Sequence, residues 1–298
     1  MTDTPLKLGT RASPLALAQA HMVRNALLLA HGWSEDRVEI VAMTASGDKI
    51  LDRALAEVGG KALWTKELDR ALFEGDIDFS VHSMKDVETI RPEALEIVAM
   101  LPRADVRDRL IGADSIATLR PGARVGTSSP RRTAQLLRLR SDLEITLFRG
   151  NVATRLGKLE AGEADATLLA AAGLDRLDMG NVGVAIAEEE MLPAPAQGAI
   201  GIETLGANTR VRDLLLAINH VPTFRCVMAE RAFLAALDAD CHSPVGAQAR
   251  LDGDMLRIRG EILMPDGSER QAGESDDPTA LARALLERAS PELRAIFG

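Results

Sequence analysis

From residue 6 to about residue 205, short apolar runs alternate with stretches whose apolar residues recur at helical spacing. That alternation limits the fold more tightly than any other feature, because it calls for largely parallel sheets flanked by helices. Leu6–Leu8 reads as a strand, followed by a helix capped by Ser13, with Pro14 at its first position and Gly32 beyond its end. Val38–Met43, Ile77–Val81 and Ile97–Leu101 read as further strands, and Thr65 begins a helix with Leu68, Ala71 and Leu72 on one face. A second block repeats the pattern. Arg124–Thr127, Glu144–Phe148 and Ala166–Leu169 are its strands. One helix opens at Ser129-Pro130, a second is capped by Asn151, and a short third ends near Leu177.

Proline-marked breaks near Pro102, at Leu192–Pro195 and near Pro222 divide the chain. Ala199–Glu203 reads as a strand returning to the first block. Beyond Pro222 come a helix over 223–237, two strand-like runs at 246–251 and 255–263, a turn at Asp266-Gly267 and a last helix over 278–288. The expected class is α/β: two hinged α/β domains (1–101 with 197–219, and 102–196) and a small C-terminal α+β domain (220–298). No internal repeat is visible.

Hydrophobic residues are 46% of the chain, enough for a core in each domain. Aromatic residues are 3%, with no Tyr, so the cores must be built from aliphatic side chains. The same scarcity argues against a stacking platform for single strands, and a net charge of −9 argues against a general nucleic-acid binder. Met1–Lys7 lacks the form of a secretory signal, and no apolar run is long enough to span a bilayer. The expectation is a cytoplasmic chain that binds neither nucleic acid nor membrane.

Arginines recur just after strands. Arg11 follows the first strand, and Arg131 and Arg132 lie in the first turn of the Ser129-Pro130 helix. Arg149 follows Phe148, Arg155 sits one turn into the next helix, and Arg176 follows the Ala166–Leu169 strand. Ligands of open α/β sheets bind beyond the carboxyl ends of the strands, where helix amino termini also favour anions. Thr127, Ser128 and Ser129 add hydroxyl donors there. Guanidinium forks suit carboxylates and phosphates. Neither a G-x-x-x-x-G-K-[ST] loop nor a G-x-G-x-x-G turn after a strand is present, so a ligand with several carboxylates is the better match. A solvated surface role is an even alternative for any one of these arginines, and weaker for the set.

His82-Ser83-Met84-Lys85-Asp86 follows the third strand. Asp86 beside Lys85 would stay ionised and could stabilise a developing cation or move a proton. An Asp that merely starts a turn is the plainer alternative. His82 could serve as a general base, but a structural, hydrogen-bonded histidine is the favoured reading; it has no partners at metal-ligand spacing, and no metal is expected. Cys241 lies in a loop, Asp240–Gly246, where a thiol can be a nucleophile or an attachment point. Cys226 sits in a helical stretch and reads as core, with a Cys226–Cys241 disulfide as the disfavoured alternative in a reducing compartment. Gly59-Gly60-Lys61-Ala62-Leu63-Trp64 fits either a mobile loop over a cleft or a surface turn.

Thr10–Ala16, Val58–Leu63, Val81–Asp86, Gly126–Arg132, Arg149–Leu156, Ala172–Leu177 and the Cys241 loop together resemble the porphobilinogen deaminase family, in family order and across all three expected domains. The resemblance implies two domains like type II periplasmic binding proteins plus a small third one. It implies a dipyrromethane cofactor joined by a thioether to Cys241. It also implies stepwise condensation of four porphobilinogen molecules into hydroxymethylbilane with loss of ammonia, by a monomer whose product passes to uroporphyrinogen-III synthase. Asp86 would hold pyrrole N–H groups and stabilise the cationic azafulvene formed as ammonia leaves. Lys85, Ser83, Thr127, Ser128, Ser129, Arg131, Arg132, Arg149 and Arg155 would hold the cofactor. Arg11, Ser13, Arg176 and Gln197 would bind substrate, and Lys61 and Trp64 would belong to a lid. Three stretches depart from the family pattern: the lid, with Ala62 and Trp64 where Gly and Phe are common; Ala196, where a glycine often precedes Gln197; and Val106, where a proline is usual. A polycarboxylate-binding module without catalysis is the rival reading. It leaves Asp86 beside Lys85, and the Cys241 loop, without a purpose. A DNA-binding regulator is weaker still, for want of a recognition-helix domain or a basic face.

Overall fold

The computed structural model describes residues 4–44 and 65–297. Lys61, Trp64 and the rest of the expected lid lie outside the described residues. The chain forms two compact units, the first from 4–44, 65–104 and 199–224, the second from 105–198 and 225–297.

In the first unit, strands β1 (Leu6–Arg11), β2 (Val38–Met43) and β3 (Phe79–Ser83) run parallel. β10 (Ile200–Leu205) pairs antiparallel with both β3 and β4 (Leu95–Met100), giving the order β2-β1-β3-β10-β4. The strand read at 199–203 therefore does return to the first sheet. Helix α1 (Pro14–His31) starts where the Ser13 hydroxyl accepts from Ala16 N and stops at Gly32, whose φ of 63° is the left-handed conformation glycine adopts most readily. Helix α2 (Lys66–Glu74) ends likewise at Gly75. Leu8, Val23, Leu27, Phe79, Ile202 and Leu215 meet in one core.

The second unit holds two sheets. In the first, β6 (Arg124–Gly126), β7 (Glu144–Thr146) and β8 (Ala166–Ala170) run parallel. β5 (Asp108–Ile111) pairs antiparallel with β8 and with β9 (Val184–Ala185), giving the order β7-β6-β8-β5-β9. Helices α3 (Pro130–Leu139) and α4 (Val152–Glu160) are capped by Ser129 and Asn151, and the short α5 (Ala171–Asp175) follows β8 directly. Leu110, Val125, Leu136 and Leu168 form its core. The second sheet is an antiparallel meander of β11 (Val245–Asp252), β12 (Met255–Leu263) and β13 (Arg270–Ser275). Phe233 of helix α7 (Val221–Ala236) and Leu285 of α8 (Pro278–Arg288) pack with Ile258 and Ile262 of this sheet.

Several elements differ from the sequence reading. β3 starts at Phe79 rather than Ile77, because the Asp78 carboxylate is used to accept from Lys7 N. β7 stops at Thr146 because Phe148 turns its ring onto Gly126. β5, β9, β13 and helix α6 (Thr209–Leu216) are not predicted from the sequence: short or polar segments such as Arg270–Ser275 carry no apolar alternation. The two α/β sheets share one strand plan although the sequence shows no repeat.

Candidate active site

Each α/β sheet gathers its expected site residues at the carboxyl edge of its parallel strands. In the first unit Arg11 is the last residue of β1 and Ser13 caps α1. Ser83 ends β3, and Met84–Asp86 form one tight 3-10 turn directly after it. The Ser83 hydroxyl exchanges hydrogen bonds with the Gln19 amide of α1, at 2.7 and 3.2 Å, which ties the end of β3 to the helix. Met84 N donates to Ala199 O, so the turn is also fastened to the start of β10. Arg11, Lys85 and Asp86 are half-buried.

His82 points elsewhere. Its Nε2 lies 2.8 Å from Ser80 Oγ and 3.3 Å from Glu203 Oε2, inside the sheet, as a structural histidine should. Glu203, on β10, also accepts two bonds from Arg91, each 2.8 Å. Arg91 in turn reaches Asp69 at 2.5 Å and Glu88 at 2.6 Å. Burial alone would raise the Glu203 carboxyl; the hydrogen bonds and charges of His82 and Arg91 outweigh it and bring it to about 2. Burial pushes Asp69 upward.

In the second unit, Thr127, Ser128 and Ser129 link β6 to α3, and Arg131 and Arg132 fill the first turn of that helix. Ser129 Oγ caps the helix by accepting from Arg132 N, and Thr127 Oγ1 accepts from Ser129 N at 3.2 Å. These two hydroxyls thus shape the turn. Arg131 and Arg132 are buried, with 3% and 5% exposure, and both donate to Asp108, at 2.7 and 2.6 Å. Arg131 Nη1 also donates to Gln135 Oε1 and Leu192 O, and Arg132 Nη1 to Leu168 O. Gln197, expected to bind substrate, has its amide on Asp108 Oδ1 and Val106 O, so it holds the inner cluster together. Burial would raise Asp108, but two guanidiniums outweigh burial and hold it far below the usual carboxylate range.

Asp108 was missed in the sequence. The one signal for it was indirect: paired arginines in a buried helix turn need a counter-charge. One carboxylate is bonded to two guanidiniums, and Glu261, which acts on Arg131 from farther off, is itself paired with Arg270, so positive charge is in surplus. Arg149 is buried just past β7, and Arg155 Nε donates to Gly150 O at 3.0 Å. Arg176 Nη2 donates to Gly198 O at 2.7 Å, and burial lowers this guanidinium to about 10. The Nε atoms of Arg131, Arg132 and Arg176 are buried without a hydrogen-bond partner. Arg24, Arg109 and Arg212 share that feature elsewhere, so what marks the site is the surplus of cations at one sheet edge. Cys241 lies exposed in the loop before β11, whereas Cys226 is buried in α7; the two are not joined.

The model of the porphobilinogen deaminase dipyrromethane cofactor binding domain matches residues 6–213, and that of the family's C-terminal domain matches 224–294. The chain belongs to the porphobilinogen deaminase family. Among its relatives, the porphobilinogen deaminase of Sphingopyxis alaskensis is 56% identical, over 99% of this chain and 97% of that one. Its counterpart from Paracoccus denitrificans is 51% identical, over 98% of this chain and 94% of that one. Similar solved structures include the second substrate-binding domain of an amino acid ABC transporter from Streptococcus pneumoniae. It is 14% identical, with a TM-score of 0.45, covering 78% of this chain and 94% of that chain.

As a member of this family the chain is a transferase of tetrapyrrole synthesis that makes hydroxymethylbilane from porphobilinogen, with a dipyrromethane cofactor. The residues present fit that group. It carries several carboxylates, which match a cationic surplus with unused buried donors. No helix among the described residues is long and apolar enough to cross a membrane.

Proposed function

We propose that this chain condenses four porphobilinogen molecules, one at a time, onto dipyrromethane joined to Cys241 by a thioether, and then releases the linear tetrapyrrole by hydrolysis. At each step the aminomethyl C–N bond of porphobilinogen breaks to release ammonia, a C–C bond forms to a pyrrole carbon, and that carbon gives up a proton. The bound dipyrromethane supplies the first such pyrrole carbon.

The residues act around that chemistry. Asp86 holds pyrrole N–H groups and places a negative charge beside the cation that develops as ammonia leaves. Lys85, Arg131, Arg132, Arg149 and Arg155 bind cofactor carboxylates, with Ser83, Thr127, Ser128 and Ser129 shaping the backbone that presents them. Arg11, Ser13, Arg176 and Gln197 bind the carboxylates of the incoming substrate. Lys61 and Trp64 serve the lid. The reading is supported above all by the two buried guanidiniums that share the single carboxylate of Asp108 at the sheet edge. Three domains, two α/β and one around the meander that carries the Cys241 loop, fit the three separate sheets. The enzyme works as a cytoplasmic monomer and hands its product to uroporphyrinogen-III synthase.

Cys241→Ser tests the attachment. A serine hydroxyl is a far poorer nucleophile than a thiolate and an exposed loop residue contributes little to packing, so the variant should fold without the adduct. Its intact mass should fall short of the wild type by two pyrrole units, and turnover should vanish. It should also melt at lower temperature, because nothing then neutralises the arginine surplus. An adduct or normal activity in Cys241→Ser would remove the attachment claim. An equal melting temperature without the adduct would remove only the electrostatic argument.

A further inference from the structure

Asp86 sits on a three-residue turn, and a turn that short needs an anchor if its carboxylate is to stay in place. The preceding residue provides it. Met84 is 1% exposed although its neighbours Ser83, Lys85 and Asp86 are only half-buried, so its side chain points inward while theirs stay at the rim. It lies against Gly201 of β10. A Cβ built on Gly201 would collide with Met84 Sδ and would lie 2.8 Å from its Cγ.

Gly201 is a central-strand residue, paired with His82 on one side and Met100 on the other. Glycine weakens a strand interior, and in such a place it marks a close approach. Its φ is not positive, so the backbone conformation does not demand glycine. The space taken by Met84 does. The clash would reach Cγ, near the root of the side chain, so turning the flexible tip aside does not relieve it. Met84 N is meanwhile held by Ala199 O, two residues before Gly201 on the same segment, and Val87 N closes the turn onto Met84 O.

We propose that Met84 and Gly201 are positioning residues for the reaction: the methionine plugs the notch left by the glycine and thereby fixes Lys85 and Asp86 at the sheet edge. This rests on the reading of Asp86 as the carboxylate that stabilises the developing cation. A methyl group at residue 201 would push the turn outward by a fraction of an ångström to an ångström. Misplacement of that size costs up to about 100-fold in rate without removing any substrate contact.

The test is a size-swap cycle on the holoenzyme, with kcat, KM for porphobilinogen and melting temperature measured for Gly201→Ala, Met84→Ala, the double variant and Asp86→Asn. Gly201→Ala should lower kcat by about 10- to 100-fold with KM within about twofold, the signature of an interaction needed in the transition state. Adding Met84→Ala should then raise kcat several-fold over Gly201→Ala alone, because the shortened side chain gives the new methyl room. A purely structural role predicts loss of melting temperature without this return of kcat. Wild-type kcat in Gly201→Ala, or no recovery in a folded double variant, would overturn the positioning role. Should Gly201→Ala fail to fold, Met84→Leu against Met84→Ala decides: turnover kept in the first and lost in the second supports the proposal, and equal turnover overturns it. Asp86→Asn separates the two claims. If it alone turns over normally, the reading of Asp86 falls; if it is inactive and the rescue is absent, only the positioning falls.

Discussion

The two α/β sheets follow one strand plan and use it for opposite electrostatic ends. In each, three parallel strands lie beside one antiparallel strand, β10 in the first unit and β5 in the second, entered just after a proline-marked crossing. Each of these strands carries a buried carboxylate bonded to arginine. Glu203 pairs across from Ser80, the second residue of β3, far from the site edge. Asp108 pairs across from Ala170, the last residue of β8, at the site edge. Around Glu203 one guanidinium meets three carboxylates, those of Glu203, Asp69 and Glu88. Around Asp108 two guanidiniums meet one carboxylate. The first cluster is rich in negative charge and ties Arg91 to the sheet. The second is left short of negative charge at the edge where a polycarboxylate would bind. Shared topology thus says where a site can be, and the proposed role of the second cluster rests on its charge surplus.

The comparison breaks most sharply at these two carboxylates. Asp108→Asn would strand two buried guanidiniums, and removing one partner of such a cluster typically costs about 3–5 kcal/mol. Glu203→Gln leaves Arg91 with Asp69 and Glu88, so its cost should be smaller, about 1.5–3 kcal/mol. Melting curves of the two variants should therefore rank Asp108→Asn below Glu203→Gln, and equal values would deny the difference in surplus. Glu203 adds a pH test. Its folded-state carboxyl is lowered to about 2 from an unfolded value near 4.5, so its contribution is complete above pH 4.5 and is lost as pH falls toward 2. The wild type should lose stability through that window more steeply than Glu203→Gln. Parallel curves would mean that Glu203 is not held ionised.

A smaller effect tests whether the two units share a positioning device. In the second unit Gly126, at the end of β6, receives the Phe148 ring; a Cβ there would lie 2.7 Å from Phe148 Cδ1. Phe148 precedes Arg149 as Met84 precedes Lys85 and Asp86. Arg149→Leu should reduce cofactor content or early elongation, since each charge-assisted bond to a carboxylate is worth about 1.5–3 kcal/mol. Gly126→Ala, by displacing Phe148, should do the same more weakly. Full cofactor content by intact mass in both, with normal turnover, would make Arg149 an ordinary buried arginine and would confine the device to the first unit.

How far the sequence could see these features follows from their range. The α/β class, the caps Ser13, Ser129 and Asn151, and the arginines after strands all rest on spacing within a few residues, and these features appear in the structure. Asp108 and Glu203 were invisible because each is defined by partners far along the chain, Arg131 23 residues away and Arg91 112 residues away. Gln197 likewise has partners that spacing does not show: its amide donates to Asp108 and Val106. The Met84–Gly201 fit escaped notice for the same reason as Asp108: sequence spacing carries no sign of a notch.

The crossings that feed the two antiparallel strands offer the smallest and most local contrast. The one leading to β10 contains Ala196 at φ 62°, a left-handed residue. The one leading to β5, residues 101–107, contains no positive φ. Ala196 is buried at 2% exposure, and its N–H donates to Glu230 Oε2 at 2.6 Å while Glu230 Oε1 accepts from Ala249 N. That buried carboxylate keeps the left-handed turn in place despite the side chain. A left-handed conformation costs a non-glycine residue about 1–2 kcal/mol. Glycine at this position removes that strain, but it frees the unfolded chain by about 0.4–1 kcal/mol and forfeits a buried methyl worth about 0.8 kcal/mol. The terms for Ala196→Gly nearly cancel, leaving a change within about 0.8 kcal/mol of zero in either direction, or at most about 2–3 °C in melting temperature. Ala104→Gly in the other crossing relieves no strain and should lower stability by about 0.4–1 kcal/mol. The measurement is the difference: strain relief should leave Ala196→Gly the less destabilising of the two. If both glycines destabilise alike, Ala196 carries no strain that glycine can relieve. Ala196→Val closes the argument from the other side. A branched side chain at positive φ should cost more than either glycine, and a Val variant as stable as the wild type would show that the turn had left the left-handed region.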